Sequence, residues 1–160
     1  MDPVEKLVAR SEITDLIVTY CITFDDQDWD EFAKLWTEDA SFIVDDYAFE
    51  GRPAVLDFLT NCLPKGYTSK HMLSVPLIEF SGSGRSANCR TDVVWIASNF
   101  ENAIVGRYND NIVKQGGAWK FRRRHEIPVP YQEGPAPMSN AAISVSGDTM
   151  RKGLLKGNKS

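Results

Sequence analysis

The second half of the chain is a series of strand-like segments separated by short turns, and this feature constrains the fold most. In residues 85–98, one face of the alternating pattern carries Cys89, Thr91, Val93, Trp95 and Ala97, and the other carries Asn88, Arg90, Asp92 and Val94. Gly116–Gly117 predicts a tight hairpin between segments 103–114 and 118–128. Such a meander differs from the alternating strands and helices of a nucleotide-binding fold.

Three helical segments are predicted before the meander. Asp2 and Pro3 form a start signal with Glu5 at the capping-box position, and apolar residues then recur with helical spacing to Phe24. A second helix is capped by Asp28, and a third begins at residues 51–53. The buried face of the second helix is predicted to hold Trp29, Phe32, Ala33 and Trp36. Helices followed by an antiparallel meander indicate the α+β class.

The composition of the chain excludes several classes of protein. The 160 residues carry a formal net charge of -4, with 42% hydrophobic and 25% charged residues, which fits one globular domain. No apolar run approaches the roughly 20 residues of a membrane-spanning helix, and the N-terminus lacks a signal-peptide pattern. The net negative charge argues against a nucleic-acid partner, because proteins that bind nucleic acids usually carry a basic face. Cys21, Cys62 and Cys89 are widely spaced and are predicted to be small buried side chains in a cytoplasmic protein.

The chain changes character near its C-terminal end. Residues 1–130 are predicted to form the folded domain, and residues 131–160 are rich in Pro, Gly, Ser and Asn. Scattered apolar residues in this segment leave two interpretations open. It is either a mobile tail or a flap that covers a pocket.

Four sequence motifs carry a resemblance to a known family. They are Ile13–Leu16, Trp36–Phe42, Phe49–Val55 and Gly117–Arg122. Across roughly residues 5–128 the chain resembles the SnoaL-like proteins of the nuclear transport factor 2 superfamily. The resemblance implies a cone-shaped α+β barrel, in which the three N-terminal helices pack on a curved antiparallel sheet. It also implies a homo-oligomer, either a trimer or a dimer.

The chain is most similar to the subgroup that contains scytalone dehydratase, hexachlorocyclohexane dehydrochlorinase and bile-acid 7α-dehydratase. Their shared histidine corresponds to His71, and the resemblance implies catalytic roles for Asp25, Arg124 and Tyr20 at matching positions. Scytalone dehydratase has a second pocket histidine that is absent here. Asp92 is the nearest acidic residue and is predicted to contact the substrate.

The residue types support the same chemistry. A neutral histidine can accept a proton from carbon at physiological pH, and a carboxylate on its other ring nitrogen fixes the tautomer. Arg124 or Tyr20 would then stabilise the negative charge that develops on the substrate or leaving group. Simple alternatives remain open, because His71 could be structural and Tyr20 could be core. Strand alternation places Arg122 and Arg124 on one face and Arg123 on the other, and one of these two faces is expected to be solvated.

Aromatic side chains are predicted to line an apolar pocket, although core packing explains each equally well: Trp36, Phe42, Trp95 and Tyr108. Two histidines far apart in sequence give no reason to expect a metal site. The predicted function is a cofactor-independent lyase of the dehydratase type, acting on a small hydrophobic, polyketide-like or terpenoid-like substrate. The general base is predicted to be an Asp–His dyad, in which the resemblance implies that Asp25 pairs with His71. The alternatives are an isomerase or cyclase that uses the same dyad, and a non-catalytic module that binds a small ligand.

Overall fold

The computed structural model describes residues 1–63, 68–98 and 103–129. Its helices are α1 (Pro3–Asp25), α2 (Trp29–Lys34) and α3 (Arg52–Asn61). Its strands are β1 (Trp36–Val44), β2 (Tyr47–Glu50), β3 (Ser69–Leu73), β4 (Leu77–Phe80), β5 (Ser86–Ala97), β6 (Ala103–Gln115) and β7 (Ala118–Pro128). The predicted tail, residues 131–160, lies outside the described residues.

Both predicted helix caps are present. The Asp2 carboxylate accepts hydrogen bonds from the backbone N–H groups of Val4 and Glu5, and the Glu5 carboxylate accepts one from the Asp2 backbone. This reciprocal pair satisfies backbone donors that the first helical turn would leave free. The Asp28 carboxylate caps α2 by accepting from the Glu31 backbone N–H at 3.2 Å.

Two element predictions need correction. Trp36 begins β1 instead of lying on α2, because α2 ends at Lys34 and Leu35 caps it. The segment expected to be one strand over residues 70–80 is two strands, β3 and β4, separated by three residues that include Pro76. Proline cannot donate a ladder hydrogen bond, so an interruption at this position is physically reasonable.

Within the described ranges, seven strands form a single sheet in the order β2-β1-β7-β6-β5-β3, and β4 also pairs with β5. The pairs are antiparallel except for β1 and β7, which run parallel. The sheet is therefore mixed, although the meander from β5 to β7 is antiparallel as predicted. With the helices on its inner face, the molecule has the predicted cone-shaped α+β fold.

The inner face of the sheet is packed more tightly at one end than at the other. Fully buried side chains fill the first end: Ala87, Ile112, Phe121 and Trp36. The opposite end of the same face carries half-buried side chains: Val44, Trp95, Glu126 and Pro128. Inner-face groups at this second end therefore keep some accessible surface.

A β-bulge interrupts β7. Asn111 on β6 pairs with Arg123, and the next residue, Ile112, pairs with Phe121, so Arg122 is an extra residue in the strand. A bulge of this kind changes which side chains face inward along the rest of the strand. Phe121 and Arg124 are both fully buried, whereas Arg122 and Arg123 between them are exposed.

Other sequence predictions have different outcomes. Cys21 and Cys89 are buried as predicted, but Cys62 is exposed because it lies just after the end of α3. In the part of the chain that the structure describes, no helix is both long and apolar enough to cross a membrane. The trimer or dimer stays a prediction.

Candidate active site

Asp25 and His71 form a buried hydrogen-bonded pair where α1 meets the start of β3. Asp25 is the last residue of α1, and His71 is the third residue of β3. The His71 Nδ1 atom lies 2.8 Å from the Asp25 Oδ1 atom. The His71 and Asp25 side chains are only 3% and 4% exposed. The structure thus brings together the two residues that the sequence singled out as a dyad.

The Asp25 carboxylate also accepts two further hydrogen bonds from β3. The Ser69 hydroxyl donates to Oδ1 at 2.9 Å, and the backbone N–H of His71 donates to Oδ2 at 2.9 Å. Burial disfavours the charged carboxylate, but the hydrogen bonds from His71 and Ser69 and the attraction to His71 outweigh that effect. The pKa of Asp25 is therefore held below its usual value.

This bonding pattern assigns the proton on the His71 ring. An ionised carboxylate can only accept hydrogen bonds, so the Nδ1 atom of His71 must carry a hydrogen and donate it to Asp25. In the neutral ring, the Nε2 atom then has a free lone pair. Among the described residues, Nε2 has no hydrogen-bond partner. The dyad therefore presents one proton acceptor that is held in a defined orientation.

Aromatic rings from α1 hold the imidazole in place. The ring of Phe24 lies 5.3 Å from the His71 ring at an interplanar angle of 88°, and the ring of Tyr20 lies 6.1 Å away at 80°. Edge-to-face contacts of this kind are the preferred geometry for aromatic pairs. They restrict rotation of the ring and keep Nε2 on the inner side of the sheet.

Arg124 lies deeper in the same face and is fully buried. Its Nε atom donates to Asp110 Oδ1 at 2.8 Å, and its Nη2 atom donates to Asp110 Oδ2 at 2.7 Å. The guanidinium carbon lies 4.0 Å from the Tyr20 ring centroid and 3.9 Å from that of Tyr108. Burial opposes the charge, but Asp110 and the two tyrosines hold the pKa of Arg124 above its usual value.

One donor of this guanidinium has no partner. Among the described residues, the buried Nη1 atom of Arg124 makes no hydrogen bond. An unsatisfied buried donor costs free energy, so such groups call for an explanation such as a ligand or an ordered water. The free donor is consistent with the predicted role of Arg124 in stabilising negative charge on a bound molecule.

The prediction that Arg122 and Arg124 share a face is wrong. The bulge at Arg122 inserts one residue, so Arg124 points inward while Arg122 is exposed and lies 3.3 Å from the Asp39 carboxylate. Sequence alternation assumes an unbroken period of two, and a bulge violates that assumption.

Tyr20 is a buried phenol at the centre of the aromatic cluster. Its ring contacts the rings of Phe32 at 5.0 Å, Trp36 at 5.9 Å and Phe121 at 5.5 Å. Burial raises the pKa of Tyr20 far above its usual value, so the phenol keeps its hydrogen. It can donate a hydrogen bond but cannot serve as a base.

The four aromatic residues predicted to line the pocket separate into two sets. Trp36 and Phe42 are fully buried in the core, where their ring centroids lie 6.5 Å apart. Tyr108 is buried against Arg124, and Trp95 is half-buried directly opposite His71 on the neighbouring strand. Trp95 is thus best placed to meet a substrate beside the dyad. Substrate contact at all four stays a prediction.

The predicted position of Asp92 in the pocket is wrong. His71 pairs with Trp95, and Asp92 is an odd number of residues away along β5, so its side chain points to the outer face. There its carboxylate accepts a hydrogen bond from Arg107 Nε at 2.7 Å, and both side chains are more than half exposed.

Sequence reasoning missed three residues at the site: Ser69, Asp110 and Glu126. Ser69 lies two residues before His71, so strand alternation alone predicts that the two share a face. Asp110 alternates with Tyr108 in the same way. Glu126 alternates with Arg124, so strand alternation from the predicted pocket residue Arg124 places Glu126 on the same face.

Comparisons with known proteins identify the family of this chain. The model of the SnoaL-like domain matches residues 5–125. A curated relative, gamma-hexachlorocyclohexane dehydrochlorinase of Sphingobium indicum, is 24% identical over 131 residues, covering 78% of this chain and 83% of the relative.

Two solved structures show the same fold. A candidate scytalone dehydratase of Novosphingobium aromaticivorans superposes with a TM-score of 0.71 at 24% identity, covering 88% of this chain and 99% of the other. A protein of unknown function with a cystatin-like fold from Nostoc punctiforme gives a TM-score of 0.67 at 16% identity, covering 83% and 97%. Because the family model spans most of the chain, the protein belongs to the SnoaL-like domain family.

Proposed function

We propose that this protein is a cofactor-independent lyase that eliminates a leaving group from a small hydrophobic substrate. The observation that carries the proposal is the buried hydrogen bond of 2.8 Å between Asp25 and His71. It leaves the Nε2 atom of His71 as an oriented base beside the accessible end of the inner face. General base catalysis of this kind typically contributes about 10²–10⁴-fold to the rate.

In the proposed reaction, His71 Nε2 removes a proton from the carbon next to an electron-withdrawing group such as a carbonyl. Asp25 does not touch the substrate and is a positioning residue. Its negative charge stabilises the imidazolium that forms, as the carboxylate does in other Asp–His pairs. The electron pair left on carbon forms the new double bond as the leaving group departs.

Arg124 and Tyr20 support the charge that develops on the substrate. Arg124 has the free Nη1 donor, and Tyr20 retains its hydroxyl hydrogen. Donors fixed in a water-poor site stabilise a developing oxyanion far better than the same groups in water. The relatives named as a dehydrochlorinase and a scytalone dehydratase support an elimination. Dehydration, with a polyketide-like or terpenoid-like substrate, is the form that we favour.

The test uses a panel of β-hydroxy ketones in deuterated buffer, followed by NMR. Proton abstraction appears as deuterium exchange next to the carbonyl, and elimination appears as the unsaturated ketone. We expect His71→Gln to reduce both signals by about 10²–10⁴-fold. Asp25→Asn should reduce them as well, because the amide cannot stabilise the imidazolium.

Asp26→Asn is the matched control, since Asp26 is the next residue in the chain but is exposed and lies 3.3 Å from Lys70. It should leave both signals unchanged. Turnover that survives His71→Gln would refute the dyad. Exchange without loss of the hydroxyl would favour the isomerase or cyclase. Binding without exchange would favour the binding module.

A further inference from the structure

Glu126 is an ionisable residue on the inner face, and it has no role in the reaction proposed so far. Register places it on the face of His71, because His71 is opposite Trp95 on β5 and Thr91 lies on the same face as Trp95. Thr91 is opposite Tyr108 on β6, and Tyr108 is opposite Glu126 on β7. His71 and Glu126 therefore lie on the same inner face of the sheet, His71 on β3 and Glu126 on β7.

The carboxyl of Glu126 is not committed to a structural contact. Within the described part of the chain, it forms no hydrogen bond and no salt bridge, and it is half-buried. The charge nearest to it in sequence, Arg124, is already bound through two hydrogen bonds to Asp110. A half-buried carboxyl without a partner is costly when it is charged, so it is easier to protonate.

The electrostatic environment supports this view. The titratable groups that interact with this carboxyl are Tyr20, Asp45, Cys62, Tyr108 and Arg124. Burial raises the pKa of Glu126 above its usual value, Asp45 raises it further, and Arg124 lowers it only in part. The net direction is toward a carboxyl that holds its proton more readily than an exposed glutamate.

We propose that Glu126 is the general acid of the elimination and that the natural leaving group is a hydroxyl. The inference rests on the proposed function of the dyad. His71 Nε2 takes the proton from carbon, the carbon–oxygen bond breaks as the double bond forms, and Glu126 gives its proton to the departing oxygen. The products are the unsaturated compound and water. The proton on His71 then returns to Glu126 through solvent, which restores both groups.

A proton donor at this position has a consequence for the substrate class. Hydroxide is a poor leaving group and departs readily only if it is protonated as the bond breaks, whereas chloride or acetate leaves as a stable anion. A site with a general acid opposite its base is therefore suited to a β-hydroxy carbonyl compound.

The test compares two leaving groups on one carbon skeleton. The probes are the β-hydroxy ketone formed from acetone and benzaldehyde, and the acetate ester of that hydroxyl, which both give benzylideneacetone. We expect Glu126→Gln to reduce kcat/KM for the hydroxy ketone by about 10²–10⁴-fold and to spare the acetate. His71→Gln should reduce both. Glu79→Gln, an exposed carboxyl near Arg90, is the control and should change neither.

The outcomes separate the two proposals. Equal losses for both probes in Glu126→Gln, or no loss for either, would overturn the role of Glu126 as a general acid. Unchanged rates in His71→Gln would instead overturn the dyad. The difference between the two probes in Glu126→Gln would still test whether Glu126 is a general acid.

A second measurement needs no substrate. Infrared difference spectra of the wild type and Glu126→Gln across a pH titration give the pKa of this carboxyl directly. A general acid must hold its proton, so the expected pKa lies above the ordinary value of about 4.3 for glutamate. A pKa at or below that value would overturn the proposal even if the wild type converts neither probe.

Discussion

Two arginine–aspartate pairs in this sheet have nearly the same geometry and opposite surroundings. Arg124 is directly opposite Asp110 across β6 and β7, and Arg107 is directly opposite Asp92 across β5 and β6. The Nε–Oδ1 distances are 2.8 Å and 2.7 Å. The inner pair is 0% exposed on both sides, whereas the Arg107 and Asp92 side chains are 52% and 59% exposed.

The difference shows that burial, and not distance, decides what an ion pair does. In water, the attraction of an exposed pair is screened, and the pair contributes about 0–1 kcal/mol. A buried pair must first be desolvated, so it adds little net stability although losing one partner is expensive. We therefore expect the inner pair to be kept for the charge that it places beside Tyr20 and Tyr108.

The largest expected effect comes from breaking the inner pair. Asp110→Asn leaves the Arg124 charge buried without compensation, and the free energy of unfolding should fall by about 3–5 kcal/mol. Urea denaturation followed by circular dichroism measures this change. A loss below about 1 kcal/mol would mean that the inner pair behaves like a surface pair.

The double variant Arg124→Met with Asp110→Leu serves as its control. It replaces both charges by apolar groups, so most of the stability lost in Asp110→Asn should return. If Arg124 stabilises charge in the reaction, turnover stays low in this variant even though the fold is stable.

A smaller effect should distinguish the neighbouring carboxylates Asp25 and Asp26. The folded-state pKa of Asp25 lies below its unfolded value, so its ionised form stabilises the protein above the unfolded pKa of about 3.9. That stability is lost as the pH falls through the lower folded-state pKa. Asp25→Asn should therefore make the unfolding free energy less dependent on pH in this acid range.

Thermal melts between neutral pH and pH 2 would measure that dependence. At neutral pH, Asp26→Asn should cost no more than about 0–1 kcal/mol, since its contact with Lys70 is exposed. If the pH dependence of stability were unchanged in Asp25→Asn, the hydrogen bonds from β3 would not lower the folded-state pKa of Asp25.

The smallest effect is expected at the outer pair. Asp92→Asn should change the unfolding free energy the least of these variants, and the change should shrink further in high salt because exposed charges are screened. Turnover should match the wild type, since Asp92 lies on the opposite face from His71. A clear loss of turnover would restore Asp92 as a candidate for the site.

The sequence predicted the features that depend on local pattern. The capping box at Asp2 and the alternation through β5 are determined by residues close together in the chain, and the structure confirms both. The family resemblance added Asp25 and His71, which are far apart in sequence and lie together only in the folded chain.

The errors arose where tertiary register overrides local pattern. Asp92 could be assigned to a face only relative to His71, and that relation depends on how β3 pairs with β5. Arg122 looked equivalent to Arg124 because a bulge leaves no clear mark in a run of three arginines. Glu126 was missed although strand alternation from the predicted inward residue Arg124 places it on the same face.

The bulge at Arg122 also affects how this chain can evolve and how its sequence should be aligned with those of its relatives. Beyond that point, the number of residues in the strand decides which side chains face the inner side of the sheet. A one-residue insertion there would turn Arg124 and Glu126 toward solvent in a single mutational step, while every residue type stayed the same. An alignment gap shifted by one position would likewise match the residue that a relative has in place of Arg124 with Arg123, which faces outward here.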